Sequence, residues 1–201
     1  MTTTPGLRER KKAKTRAAIQ RHALRLFHEQ GYAATTVDQI AEAAEISPST
    51  FFRYFPTKED VVLLDGYDPM FVEAMLAQPA EMGPVAAVRA AIREVVERVS
   101  AEEWEAERGR QELVRMVPEL RTRLLQQYVD AIDLLTRAIA ERAGLPANDL
   151  AVRAMAGAVI GVSLAAMPHA LAGPHELADY DRIDEALALL EAGLPLPSRM
   201  A

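Results

Sequence analysis

The chain has 201 residues, half of them hydrophobic and 26% charged, enough apolar side chain for one large or two smaller domains and too much for a wholly disordered chain. It contains no cysteine, which excludes disulfide scaffolds, thiolate metal sites and cysteine nucleophiles and suits a reducing compartment. The net charge of −6 conceals a division: residues 1–25 carry eight Lys/Arg against Glu9 alone, and residues 26–201 carry fifteen against twenty-eight acids. An arm with Arg8, Arg10, Lys11, Lys12, Lys14 and Arg16 can follow a polyanion that the acidic remainder would be repelled from; the plainer reading is a solvated, frayed terminus.

Between prolines, glycines and capping residues the apolar period is 3.6 almost throughout, so the fold class is all-α. Ile19, Ala23, Leu26 and Phe27 make one stripe of a helix from about Arg8 to Gln30, which Gly31 stops. Thr36 with Gln39 forms a capping box before a short second helix whose inner face is Val37, Ile40, Ala41 and Ala44. Ser47 caps a third helix, Pro48 to Phe55, with proline at its first position and Pro56 at its end. Thr57-Lys58-Glu59-Asp60 opens a fourth. Further helices are expected from about Val85 to Ser100, Glu102 to Val117, Pro118 to Ala143, Leu150 to Met167 and Arg182 to Ala192, with Pro69 breaking the fourth helix or starting a new one. The expected division is a small N-terminal helical unit over residues 1–60 and a larger helical unit over residues 61–201, joined by the fourth helix.

The second helix, the link Glu45-Ile46 and the third helix have the proportions of a helix-turn-helix. Phe51 and Phe55 face inward with Ile40 and Phe27, which leaves Ser49, Phe52 and Arg53 outward. Arg53 suits bidentate contact with guanine, Phe52 and Pro48 suit a thymine methyl, and Thr50, Tyr54 and Lys58 flank them with donors for phosphate. The competing reading is a helical hairpin whose aromatics simply complete a core.

Residues 15–64 resemble the tetracycline-repressor (TetR) family of bacterial regulators, through Thr15-Arg16, the stretch Ala23 to Phe27, Gly31-Tyr32, Thr35-Thr36-Val37, Ile40-Ala41, Ala44 and the string Ser47 to Asp60. The resemblance implies phosphate contacts from Thr36, Thr50, Tyr54 and Lys58, and base contacts from Pro48, Ser49 and Arg53. The sequence departs from the family at Glu45, where glycine is usual and a left-handed backbone would cost on the order of 1 kcal/mol. It departs again at Phe52, where many members carry tyrosine. A weaker similarity, through Tyr67-Asp68-Pro69 and Leu189 to Pro195, points to a subgroup with an acyl-CoA-like ligand domain.

Beyond residue 60 the apolar surplus includes Phe71, Met75, Ile92, Val96, Trp104, Met116, Tyr128, Met155, Val159 and Met167, candidates to line an effector cavity or to form plain core. Arg110 and Arg115 could meet an anionic ligand or make solvated ion pairs. Small and apolar residues along Val152, Val159 and Ala166, with Ile183, Leu187 and Leu190, suit a homodimer interface or an internal packing face. His22, His28, His169 and His175 have no metal-ligand spacing, and no phosphate loop or nucleophile elbow is present, so neither an enzyme nor a metal or other cofactor is expected. The N-terminus leads into charge, and no run reaches about 18 apolar residues, so no secretory signal and no membrane span are expected and the location is read as cytoplasmic. The leading expectation is a ligand-responsive, dimeric repressor bound to a palindromic operator on duplex DNA and released by a small, largely apolar effector, an acyl thioester being the first candidate by resemblance. The alternative is a helical interaction protein whose basic arm binds an acidic partner.

Overall fold

The computed structural model describes residues 7–64, 67–167 and 177–196, and among these residues the chain forms ten α-helices and no strand. The first four are α1 (Leu7–Gln30), α2 (Val37–Ala43), α3 (Pro48–Tyr54) and α4 (Asp60–Leu63). The remainder are α5 (Asp68–Ala77), α6 (Pro84–Arg98), α7 (Ala101–Met116), α8 (Pro118–Ala143), α9 (Leu150–Ala166) and α10 (Leu177–Glu191).

Local chemistry sets the boundaries. At the end of α1, Gly31 has φ 85° and its N–H returns to Phe27 O at 3.0 Å, a conformation that costs glycine nothing. Thr36 Oγ1 accepts from Gln39 N at 3.2 Å while Gln39 Oε1 accepts from Thr36 N at 2.8 Å, the expected capping box. Ser100 and Glu103 repeat that device at the start of α7. The fourth helix is a single turn rather than a longer rod, and α10 begins at Leu177 instead of Arg182, with Asp179 in its first turn where a carboxylate favours the helix dipole.

Two cores result. The first gathers Ile19, Ala23 and Phe27 of α1, Ile40 of α2, Phe51 and Phe55 at α3, and Val61, Val62 and Leu63 of α4, together with Leu113, Val114 and Leu120 from the α7–α8 corner. Helices of seven residues are unstable alone, so burial must hold them; Phe27, Phe51 and Phe55, each at most 2% exposed, contribute about 1.5–3 kcal/mol apiece. The second core lies among α5, α6, α8, α9 and α10, centred on Met75, Val88, Ala91, Leu135, Ile139, Ala156, Val159 and Leu187. Helix α7 belongs to the first core by its second half, and in its first half the Trp104 ring meets Tyr180 at the edge of the second.

The expected dimer residues need correction here. Val152, Val159, Ile183 and Leu187 are at most 6% exposed within the single chain and pack in its second core. Helix α9 packs against both α8 and α10, so its most apolar stripe is consumed internally; Ala166 and Leu190 are half-buried at the edge. The outward faces instead carry Leu150, Ala154, Gly161 and Ala165 on α9 and Leu189 on α10.

Candidate functional site

The turn between α2 and α3 is a Schellman closure: Glu45 N donates to Glu42 O at 3.0 Å and Ile46 N to Ala41 O at 2.9 Å. That closure requires a left-handed residue, and Glu45 supplies it at φ 55°. Ser47 Oγ then accepts from Thr50 N at 3.1 Å and lies 2.9 Å from the hydroxyls of Ser49 and Thr50. Phe51 and Phe55 point into the core, so helical periodicity puts Pro48, Ser49, Phe52 and Arg53 on the exposed face. Phe52 is 52% exposed and rests edge-on against Phe51, with ring centres 5.4 Å apart. The Arg53 guanidinium lies 5.5 Å from the ring centre of half-buried Tyr54. Thr36 is exposed at the N-terminus of α2, and Lys11, Lys12 and Lys14 are exposed along α1. The structure thus brings together the eight residues expected to meet DNA, with one refinement. Lys58 Nζ donates to Tyr32 O at 2.9 Å and Thr35 O at 3.1 Å and sits 4.1 Å from the Tyr32 ring centre, so it also locks the loop before α2.

Beside Lys58, Tyr32 Oη donates to Glu59 Oε1 at 3.0 Å. Burial, then the hydrogen bond to Glu59 and its negative charge, push the Tyr32 phenol well above its ordinary pKa. Burial alone would raise Glu59, but hydrogen bonds from its own backbone, Tyr32 and Thr57, with Arg123 nearby, outweigh it and leave the carboxyl below its ordinary range.

Helix α4 is held from several sides. Gln20 of α1 donates to Val61 O and Leu64 O at 2.9 and 3.0 Å. Arg110 of α7, only 9% exposed, donates to Val62 O at 2.6 Å and pairs with Glu107. From α8, Gln127 donates to Leu63 O, and Arg123 donates to Thr57 Oγ1 at 2.8 Å. Arg110 is therefore not a solvated pair: it caps the carbonyl end of α4. Arg115 makes the ordinary surface pair, 3.6 Å from Glu112.

A cavity of about 170 Å³ lies between α5, α6, α7 and α10. Of the expected effector residues it gathers Phe71, Ile92, Val96 and Trp104, and adds Tyr67, Asp68 and Tyr180. The Trp104 and Tyr180 rings meet edge-on at 5.2 Å. Other expected lining residues lie elsewhere. Met75 and Val159, at most 2% exposed, are solid core, and Met116 is 65% exposed at the end of α7. Tyr128, Met155 and Met167 are half-buried away from this cavity's wall. His169 and His175 lie outside the described residues. Tyr180 was missed because it stands 76 positions after Trp104, and no local pattern announces that the two meet. Among the described residues no helix is long and apolar enough to cross a membrane.

Residues 19–64 match the family described as "Bacterial regulatory proteins, tetR family", and residues 82–195 match the family described as "MftR C-terminal domain". The chain belongs to the TetR family. It is a DNA-binding transcriptional regulator and not an enzyme. Similar relatives include the HTH-type transcriptional regulator TcmR of Streptomyces glaucescens, 41% identical over 152 residues that cover 72% of this chain and 67% of TcmR. The regulator EthR of Mycolicibacterium smegmatis is 34% identical over 149 residues, 67% of each chain. Among solved structures, the TetR-family repressor FadR of Thermus thermophilus, in complex with lauroyl-CoA, is 25% identical with a TM-score of 0.52, covering 92% of this chain and 98% of that one.

Proposed function

We propose that this TetR-family regulator is a cytoplasmic homodimeric repressor, with residues 1–60 reading a palindromic operator and residues 61–201 holding the partner subunit and a small, largely apolar effector that releases the DNA. Arg53, Ser49, Pro48 and Phe52 would read base edges in the major groove, while Thr36, Thr50 and Tyr54 anchor phosphates. Lys58 has spent two of its three protons on Tyr32 O and Thr35 O, leaving one for a phosphate beside α2. The dimer would form through the outward faces of α9 and α10 around Leu189, Ala154 and Gly161.

The observation that carries the regulatory reading is the span of α7. Trp104 walls the cavity, and Arg110, less than two turns further along, grips the end of α4. An effector that displaces Trp104 acts on the helix that orients the reading head. The cavity is smaller than the roughly 300–1,000 Å³ of typical ligand pockets, which favours a compact effector; an acyl thioester like that bound by FadR requires it to open. The test is to select an operator from random duplexes, then titrate candidate effectors calorimetrically with and without it. A ligand with equal affinity in both arms has no differential binding and is not an inducer. Loss of all sequence preference over scrambled duplex would remove the operator reading itself.

A further inference from the structure

The turn Thr57-Lys58-Glu59-Asp60 sets Lys58 beside two acids. A lysine that is to meet a phosphate there needs both carboxylates engaged elsewhere, since each would compete for the ammonium and repel the phosphate. The structure engages both. Thr57 N donates to Asp60 Oδ2 at 2.9 Å, and Tyr32 Oη donates to Glu59 Oε1 at 3.0 Å. The second Glu59 oxygen faces the larger helical unit: Arg123 Nη1 of α8 lies 3.6 Å from Glu59 Oε2 and 3.9 Å from Asp60 Oδ1, and it donates to Thr57 Oγ1 at 2.8 Å. One guanidinium thus spans three of the four residues of the turn and leaves out Lys58.

Lys58 and Glu59 meet the same ring. Lys58 Nζ stands 4.1 Å from the Tyr32 ring centre and donates to Tyr32 O and Thr35 O, while Glu59 accepts from that ring's hydroxyl. Burial opposes ionisation of Glu59, but the hydrogen bonds it accepts and the nearby Arg123 hold its pKa below the ordinary range. The carboxylate is therefore a charged competitor, and a lysine on its flexible stem follows the nearest anion that has no other cation.

We infer that Arg123 of α8 is a positioning residue for DNA binding: it occupies Glu59 and Asp60, so that Lys58 stays against Tyr32 with one proton free for a phosphate. This rests on the phosphate role of Lys58 above and adds what keeps that proton available. Arg123 also ties the reading head to α8 at a point separate from the Arg110 grip on α4.

The full-length protein is titrated at several salt concentrations with an operator selected from random duplexes and with a scrambled duplex, because a phosphate contact counts in both. Arg123→Gln weakens both by about tenfold per half-site, the worth of one charge-assisted hydrogen bond, and lowers the salt slope by about one per half-site. Arg123→Lys keeps the charge and retains the slope. Adding Glu59→Gln to Arg123→Gln removes the competing carboxylate and returns the slope towards the parent's, whereas Arg123→Gln added to Lys58→Ala causes no further loss. Melting temperature at one fixed protomer concentration isolates a purely structural role, which would lower it without moving the slope. A parent-like slope in Arg123→Gln overturns the positioning role. So does a loss that persists undiminished with Glu59→Gln or Lys58→Ala already present, which would put Arg123 on phosphate itself. A parent-like slope in Lys58→Ala instead removes the phosphate contact on which the role rests.

Discussion

Replacing Arg110 tests the grip on α4 most directly. Its side chain is buried, it donates to Val62 O at 2.6 Å, and its partner Glu107 is itself only 10% exposed. Arg110→Met keeps the length and apolar stem but takes the cation from the buried Glu107 carboxylate and the side-chain donor from the Val62 carbonyl. Removing one member of a buried pair costs about 3–5 kcal/mol. Gln111 Nε2 still donates to Glu107 at 2.7 Å, which puts the expectation at the lower end, about 3 kcal/mol, or roughly 6–12 °C in melting temperature for a chain of this size. Adding Glu107→Leu removes the stranded charge and should recover about half of the loss, since a buried pair replaced as a unit is often close to neutral; what remains belongs to α4. Melting is followed by circular dichroism at one fixed protomer concentration, because dimerisation contributes to apparent stability. A single variant within about 1 kcal/mol of the parent would mean that Arg110 does not hold α4. If instead the double variant folds and still takes up effector at Trp104, its operator affinity should respond less to that effector than the parent's does.

Arg53→Ala should weaken operator binding by about 1–3 kcal/mol and relax discrimination at one base pair per half-site, measured by competition with scrambled duplex; full retained preference would show that Arg53 is not a base reader. Glu45→Gly relieves a left-handed strain of about 1–2 kcal/mol against a backbone-entropy cost of about 0.5–1 kcal/mol, so the melting temperature should rise by a few degrees, and a fall would contradict the strain. Leu189→Arg, at a side chain 47% exposed, should leave the protomer folded but dissociate the dimer in sedimentation; an unchanged dimer would move the interface elsewhere. Tyr32 is held neutral in the folded chain, so its contribution is fully present below about pH 10 and is lost as pH rises above that value; Tyr32→Phe should flatten the alkaline fall in melting temperature, and an unchanged slope would refute the linkage.

The N-terminal half was legible because its signals are local. Thr36 with Gln39, Ser47 with Pro48, and Gly31 each mark a helix end within a few residues, and the four-residue spacing of Phe51 and Phe55 fixes which side of α3 is left for DNA. Even the departure at Glu45 was readable as a strained turn. The second half was not, because its helices offer more than one apolar face. Helix α9 is apolar or small nearly all round, so periodicity could not say that Val152 and Val159 face inward while Ala154 and Gly161 face out. Glu107 and Arg110, three apart, match a surface ion pair in pattern; only the tertiary placement of α4 over Arg110 turns the pair into a buried cap. Trp104 and Tyr180 belong to helices separated by most of the body, and sequence spacing carries no trace of their contact.

That tertiary placement also explains why a ligand near Trp104 should reach the reading head at all. Along a helix rising 1.5 Å per residue, Arg110 lies about 9 Å and Leu113 about 13.5 Å beyond Trp104, so a displacement at Trp104 meets both within three turns of one continuous helix. Leu113 and Val114 sit in the same core as Phe27, Phe51 and Phe55, and opening that core would cost several kcal/mol. Helix α4, by contrast, is one turn long and is held at its end by three neutral side-chain hydrogen bonds, two from Gln20 and one from Gln127, each contributing about 1 kcal/mol net, beside the stronger charged donor Arg110. Shifting α4 is therefore the less costly response to a moved α7, and the loss or exchange of one to three such bonds falls in the range of about 1–3 kcal/mol expected for allosteric coupling. A coupling of that size changes operator affinity by roughly 5- to 150-fold, enough to release a repressor without unfolding any part of it.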